Sequence, residues 1–224
     1  MPLKFPSPSE ASPEGLLAIG GNLSAETLFN AYSQGIFPWP ISKDAPMTWF
    51  CPDPRGILPT ANYHVSRSFQ RFLKKHSFTI RMNEDFQLII KACAQTVRKH
   101  EVGTWITKEI ERGYLELFEK GHAYCIGAYE DEILVGGLYG VCLGGLISGE
   151  SMFHNKPNAS KLCLHVLMSH LQHHEIPFLD TQMVTPIIKD LGGTEISRAI
   201  FLSEISSLKK RALPREALFS SDFL

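Results

Sequence analysis

The stretch Ile133–Lys161, ILVGGLYGVCLGGLISGESMFHNKPNASK, governs the reading of the chain. An apolar, glycine-studded run leads to one carboxylate, Glu150, and then to Ser-Met-Phe. The pattern is that of buried strand, followed by a helix start at Asn158-Ala159-Ser160-Lys161. A charge at the end of a buried strand costs free energy unless something pairs with it. Glu150 therefore has a structural partner or is kept for a cationic ligand. Strand alternation sets Glu150 and Met152 on one face, with Ser151 opposite. The pairs Gly136-Gly137 and Gly144-Gly145 mark bulges or places where backbone or ligand approaches closely.

Regular elements continue on both sides of this stretch. Ala123–Tyr129 and Ile133–Val141 flank a Glu-Asp-Glu turn and read as a hairpin, with Leu146–Phe153 as a further strand. A helix over Ala159–His173, a strand over Phe178–Gln182, and helices over Pro186–Leu191 and Arg198–Lys210 follow. Upstream, helical spacing predicts Ser66–His76, Glu84–Lys99 capped by Asn83, and a helix running from Thr107 to Gly121. Before residue 60 Pro and Gly cluster in FPSPS, GIFPWP and CPDPRGILP, around one clear helix from Ala25 to Ser33. Ser24 is its N-cap and Gly35 its stop. The expected class is α+β. A small loop-rich N-terminal domain covers residues 1–61, and a larger domain 62–224.

Composition narrows the function. The chain has 224 residues, 44% hydrophobic and 20% charged, with a net charge of −1. That balance excludes a uniformly basic nucleic-acid binder but leaves room for a local patch. Five scattered cysteines without a C-x-x-C pair support neither a disulfide framework nor a zinc knuckle. Reduced thiols and the absence of a signal peptide point to the cytoplasm. The longest apolar run, Ile133–Ile147, is too short and too glycine-rich to span a membrane.

Three groups of residues suggest chemistry. Arg67, Arg71, Lys74 and Lys75 share one helical face, with no acid between Arg55 and Arg81. Such a face is usually just solvated. The concentration of cations favours a phosphate-binding face. Asp180 and Gln182 share one side of a strand end, although separately each reads as a cap or a solvated amide. Trp39, Trp49 and Trp105 lie in or beside loops, as partial core or as platforms for a nucleobase. His122 with Cys125 is a weak thiol-nucleophile pair.

Taken together, GLLAIGGNLS, AYSQGIFPWP, WFCPDPRGIL, HVSRSFQRF, GTWIT, GHAY, ILVGGLYGV, SGESMF, NASK, LDTQ and LGGTEISR resemble the leucyl/phenylalanyl-tRNA–protein transferase family along nearly the whole chain. The resemblance implies an enzyme that moves leucine or phenylalanine, with methionine as a third candidate, from aminoacyl-tRNA to proteins with N-terminal Arg or Lys. The products are substrates of N-end rule degradation. It implies an acetyltransferase-superfamily-like catalytic domain, no cofactor and no metal. The partners would be aminoacyl-tRNA and basic N-termini, with no membrane and with the chain acting as a monomer. By resemblance Asp180 orients Gln182, Gln182 handles the attacking amine, and Glu150 orders the aminoacyl end or attracts the acceptor. Trp39 and Trp105 surround the adenine and the amino-acid side chain, Leu138, Met152, Leu164 and Leu167 line the apolar pocket, and Ser151 lies at the substrate. The basic helix holds the acceptor stem, and the glycines of Ile133–Lys161 become the floor of the cleft. Leu167, Gly127 and Ile187 depart from the family pattern. Two rivals are an acyl-CoA N-acetyltransferase, for which the Asn158 helix start lacks the glycine-rich turn, and a non-catalytic RNA-binding module.

Overall fold

The computed structural model describes residues 3–42, 45–96 and 105–219. In chain order the elements are β1 (Leu16–Ile19), α1 (Ala25–Tyr32), β2 (Phe37–Pro38), β3 (Thr48–Phe50), β4 (Arg55–Pro59), α2 (Arg67–Leu73), β5 (Thr79–Met82), α3 (Phe86–Gln95) and α4 (Lys108–Glu119). They continue as β6 (Ala123–Glu130), β7 (Ile133–Leu143), β8 (Leu146–His154), α5 (Ala159–His173), β9 (Phe178–Gln182), α6 (Pro186–Asp190), β10 (Thr194–Ile196), α7 (Arg198–Leu208) and α8 (Arg215–Leu218). A three-stranded sheet has the order β1-β3-β2, and a seven-stranded sheet the order β10-β4-β9-β8-β7-β6-β5. The larger sheet is antiparallel except for the parallel pair β8-β9. The class is α+β, a mixed sheet with flanking helices and a small loop-rich N-terminal layer. β4, which precedes residue 61, belongs to the larger sheet.

Local signals explain most elements. The side chains of Ser24, Ser66, Thr107, Thr185 and Ser197 accept from the backbone N–H three residues on, capping α1, α2, α4, α6 and α7. Gly35 closes α1 at φ +77°, where Phe201 leaves no room for a side chain. Asp131 and Glu132 both take positive φ, the geometry a two-residue hairpin turn needs to match strand twist. Asn83 is not the cap of α3. It sits at φ 57° and its Oδ1 accepts from the Cys125 N–H at 3.2 Å, so its side chain anchors β6 instead. The expected end of this helix, beyond residue 96, lies outside the described residues. α2 is shorter than predicted and stops at Leu73.

Two cores lie on the two faces of the larger sheet. One joins α1, α3 and α4 to Tyr139, Val141 and Phe153. The other packs α5 against Ile126, Leu138 and Leu179. The glycines of β7 serve this packing rather than a ligand. A Cβ on Gly136 would lie 2.5 Å from the Ala159 Cβ of α5, and one on Gly137 3.1 Å from Phe153. One on Gly144 would meet the Arg211 carbonyl at 2.7 Å. The cleft-floor reading of these glycines is therefore corrected: the protein's own atoms fill the space.

Gly140 and Gly149 pair across β7 and β8, yet their surroundings differ. A Cβ on Gly140 would fall 1.9 Å from the Ser148 carbonyl, whereas one on Gly149 would find Leu179 at 3.6 Å. Gly140→Ala should therefore cost about 1–3 kcal/mol in denaturant unfolding, as overpacking does. Gly149→Ala should change stability far less, and equal losses would contradict this packing.

Candidate functional site

The site grows from the junction of β8 and β9. These strands run parallel and pair at one place, Ser148 with Asp180. Beyond it the ladder ends, and Glu150 and Gln182 meet across the two strand ends, with 3.2 Å between Oε1 and Nε2. Each strand also carries an irregularity there. In β8 the register passes from Tyr139↔Ser151 to Gly140↔Gly149, so Glu150 is the extra, unpaired residue of a bulge. In β9 it passes from Gly56↔Gln182 to Ile57↔Asp180, which leaves Thr181 as the extra residue.

The bulge corrects the alternation expected for β8. Met152 pairs with Leu138 and packs on the α5 face. Glu150 instead reaches Tyr114 of α4, on the face of Tyr139. Its partners are neutral donors. Tyr114 OH donates to Oε2 and Gln182 Nε2 donates to Oε1, each at 3.2 Å. Tyr32 OH lies against Tyr114 OH, extending a hydroxyl chain from α1. Both tyrosines are buried. Burial pushes the Glu150 carboxyl up from 4.5 to about 7, with the tyrosine hydroxyls opposing the shift and the Asp180 charge adding to it.

Asp180 is occupied by an ion pair. Arg55 of β4 donates from Nε to Oδ1 at 2.8 Å and from NH2 to Oδ2 at 2.7 Å. NH1 donates to the Gly35 carbonyl at 3.0 Å. The guanidinium stacks over Phe37 and Phe201, 4.9 and 4.3 Å from the ring centroids. Arg55 and Asp180 are 0% and 1% exposed. Burial alone would lower the Arg55 pKa, and Asp180 outweighs it so that the net shift is upward. Ser148 Oγ donates to Oδ2 at 3.0 Å, and the Gln182 backbone N–H donates to Oδ1 at 3.1 Å. Asp180 thus fixes the main chain of Gln182, at φ 58°, while Glu150 fixes its amide.

The remaining predicted residues fall into three places. Trp39 and Trp105 stack on each other with ring centroids 5.5 Å apart and planes 19° apart. Trp49 is fully buried in β3 and its Nε1 donates to the Gly20 carbonyl at 2.8 Å, so it is core and not a platform. Leu138, Leu164 and Leu167 are buried together on the α5 face, with the half-buried Met152 beside them. Ser151 is half-buried and pairs with Tyr139. Arg67, Arg71, Lys74 and Lys75 are all exposed on or just after α2, whose Phe69 packs on His165 of α5. Cys125 is buried and its thiol is pushed up to about 12, which removes it as a nucleophile. All five cysteines are free. Among the described residues no cluster of three His, Cys, Asp or Glu is placed to hold a metal.

Sequence reasoning overlooked Arg55, Tyr32, Tyr114 and Ser148 as members of this constellation. A detectable signal existed for two of them: a tyrosine on an apolar helix face must find a partner for its hydroxyl. Of the departures, Leu167 is fully buried, Gly127 faces the Tyr129 ring at 2.7 Å from an added Cβ, and Ile187 is 47% exposed.

The family model of the leucyl/phenylalanyl-tRNA protein transferase matches residues 57–206, and that of its N-terminal domain matches residues 21–53. The chain belongs to this family. A leucyl/phenylalanyl-tRNA–protein transferase of Tolumonas auensis is 44% identical over 216 residues, 96% of this chain and 92% of its own. One from Pseudoalteromonas atlantica is 44% identical over 222 residues, 96% and 94% of the two chains. A solved ribosomal-protein-alanine N-acetyltransferase from Brucella melitensis overlaps 52% of this chain and 88% of its own, with 19% identity and a TM-score of 0.34, too slight a likeness to carry weight. The family's members are aminoacyltransferases by name, and the matched range 57–206 includes the junction of β8 and β9, where Glu150, Asp180 and Gln182 lie.

Two measurements test the site's energetics. Arg55→Met leaves the Asp180 charge buried without its partner and should cost about 3–5 kcal/mol in chemical unfolding. The double variant Arg55→Met/Asp180→Leu should regain much of that loss. For Glu150 the folded pKa is raised, so between about pH 4.5 and 7 the native state keeps a proton that the unfolded chain has released. Wild-type stability should therefore fall relative to Glu150→Gln as pH rises through that window, and level off above it. A constant difference between the two melting profiles would refute the shift.

Proposed function

We propose that this chain transfers leucine or phenylalanine from aminoacyl-tRNA to the N-terminal Arg or Lys of acceptor proteins. The Glu150–Gln182 hydrogen bond at the ends of β8 and β9 is the observation that carries this reading. The acceptor α-amine attacks the ester carbonyl carbon, a C–N bond forms, and the C–O bond to the terminal ribose breaks. The amine's proton leaves with the ribose oxygen, so no cofactor is required. With its Nε2 committed to Glu150, Gln182 keeps Oε1 for an N–H of the attacking amine. Glutamine does not titrate, and its role is to position the amine rather than to act as a base. Holding amine and ester in contact supplies acceleration by itself. Asp180 is a positioning residue, acting through the backbone of Gln182.

The other roles extend the same reading. The stacked Trp39 and Trp105 receive the terminal adenosine, and Ser151 with Met152, next to Glu150 in β8, borders the aminoacyl end. Leu138, Leu164 and Leu167 shape the apolar end, where one methylene is worth about 1–3 kcal/mol of discrimination. This makes methionine an accessible third donor. The exposed Arg67, Arg71, Lys74 and Lys75 contact acceptor-stem phosphates without reading sequence. Residues 1–61 form the small N-terminal domain, lending β4 to the catalytic domain over 62–224. Among the described residues no helix is long and apolar enough to cross a membrane. Free, buried cysteines agree with a reducing compartment, and we place the protein in the cytoplasm as a monomer whose products enter N-end rule degradation.

A transfer assay should pair Leu-, Phe- and Met-tRNA with peptides beginning in Arg, Lys, Asp or Glu. Product is expected with Arg and Lys. Gln182→Ala should lower kcat on the order of 100-fold, the scale of losing one hydrogen bond to the reacting groups, while tRNA binding stays within twofold. Acetyl transfer from acetyl-CoA, with none from Leu-tRNA, would overturn the reading.

A further inference from the structure

The cations of α2 stand on a helix that needs outside support. Arg67, Arg71, Lys74 and Lys75 are exposed, and among the described residues none of their side chains makes a hydrogen bond or an ion pair. α2 has seven residues, well short of the length at which a helix persists alone in water. Phe69 is its one buried residue.

Phe69 rests on His165 of α5, edge-on, with ring centroids 6.0 Å apart. Tyr63, just before the helix, meets the same ring. Its hydroxyl lies 3.2 Å from His165 Nδ1, and the two ring centroids are 5.9 Å apart. One imidazole thus receives both the helix and the segment that leads into it. Phe72 extends the contact, stacked on Phe69 at 5.5 Å and on His76 at 5.3 Å. Burial lowers the His165 pKa, so the ring is neutral at pH 7 and adds no charge to the cationic face. Leu164 and Leu167, in the same turn of α5, are buried in the apolar cluster that holds Leu138. The turn of α5 assigned to the donor pocket is therefore also the seat of the basic helix.

We infer that Tyr63 and His165 are positioning residues for aminoacyl-tRNA: they hold the α2 cations at a fixed distance from the donor pocket, so that acceptor stem and aminoacyl end are engaged together. This rests on the transfer reading and on the phosphate contacts of α2 proposed above. Two sites at a fixed spacing bind a linked ligand more tightly than either alone, and the gain is lost when the spacing is not kept. A loosened α2 keeps its charge and loses that gain. A donor without an acceptor stem does not sense the difference.

The test compares transfer from Phe-tRNA with transfer from phenylalanyl-adenosine, which has no acceptor stem, to a peptide beginning in Arg. His165→Ala should raise the KM for Phe-tRNA roughly fivefold to tenfold as one of two linked contacts loosens, with kcat and the KM for phenylalanyl-adenosine within about twofold of wild type. Intact transfer from phenylalanyl-adenosine also shows that the variant is folded. Tyr63→Leu/His165→Leu replaces both hydrogen-bonding partners by apolar groups that still pack on Phe69, and should return the KM for Phe-tRNA to within about twofold of wild type. Equal rises in KM for the two donors would put the effect in the donor pocket and overturn the assignment. An unchanged KM for Phe-tRNA in His165→Ala would overturn it too. So would a double variant as impaired as His165→Ala, which would put the imidazole itself on the RNA. Each of these leaves the transfer reading standing. No transfer by the wild type from either donor would overturn that reading and the assignment with it.

Discussion

The Arg55–Asp180 pair is the constraint on which the rest of the site depends. Its guanidinium touches the α1–β2 turn through Gly35, the N-terminal layer through Phe37 and α7 through Phe201. Its carboxylate lies in β9, bonded to Ser148 of β8. One buried cation thus ties together segments more than a hundred residues apart in sequence. A buried pair of this kind adds little net stability over a well-packed apolar substitute, because desolvation offsets attraction. Its value is in uniqueness: five donors in a planar fork leave few ways to assemble these segments. The same carboxylate holds the Gln182 main chain in a left-handed conformation that a non-glycine residue adopts only with support.

Strand irregularities then decide what faces what. Had β8 run regularly, Glu150 would have shared the α5 face with Met152. The bulge turns it toward α4, where Tyr114 and Tyr32 supply hydroxyls. The apolar residues and the polar ones therefore lie on opposite faces of one sheet.

Much of this was legible in the sequence. The β6-β7 hairpin, β8, α5 and β9 follow from periodicity and turn residues, and α5 runs from Ala159 to His173 as predicted. The short strands β1, β2, β3 and β10 were not legible, because two to four residues among prolines and glycines carry no period. β4 was hidden for a different reason: its arginine reads as surface until its partner, 125 residues away, is known. Asn83 misled because a good capping residue also suits a left-handed position. In the site, Asp180 and Gln182 were visible as alternating residues at a strand end, and Glu150 as a misplaced charge. The direction in which Glu150 points was not, since one extra residue in a ladder leaves no mark in the sequence.

The distribution of charge has a chemical logic on the proposed reading. An α-amine has an ordinary pKa of about 8 and must be neutral to attack. A fully ionised, unpaired carboxylate beside it would stabilise the ammonium form and slow the reaction. Here the Asp180 charge is matched by Arg55, and Glu150 titrates near 7 with tyrosine donors on it. The group left to meet the amine is the neutral amide of Gln182.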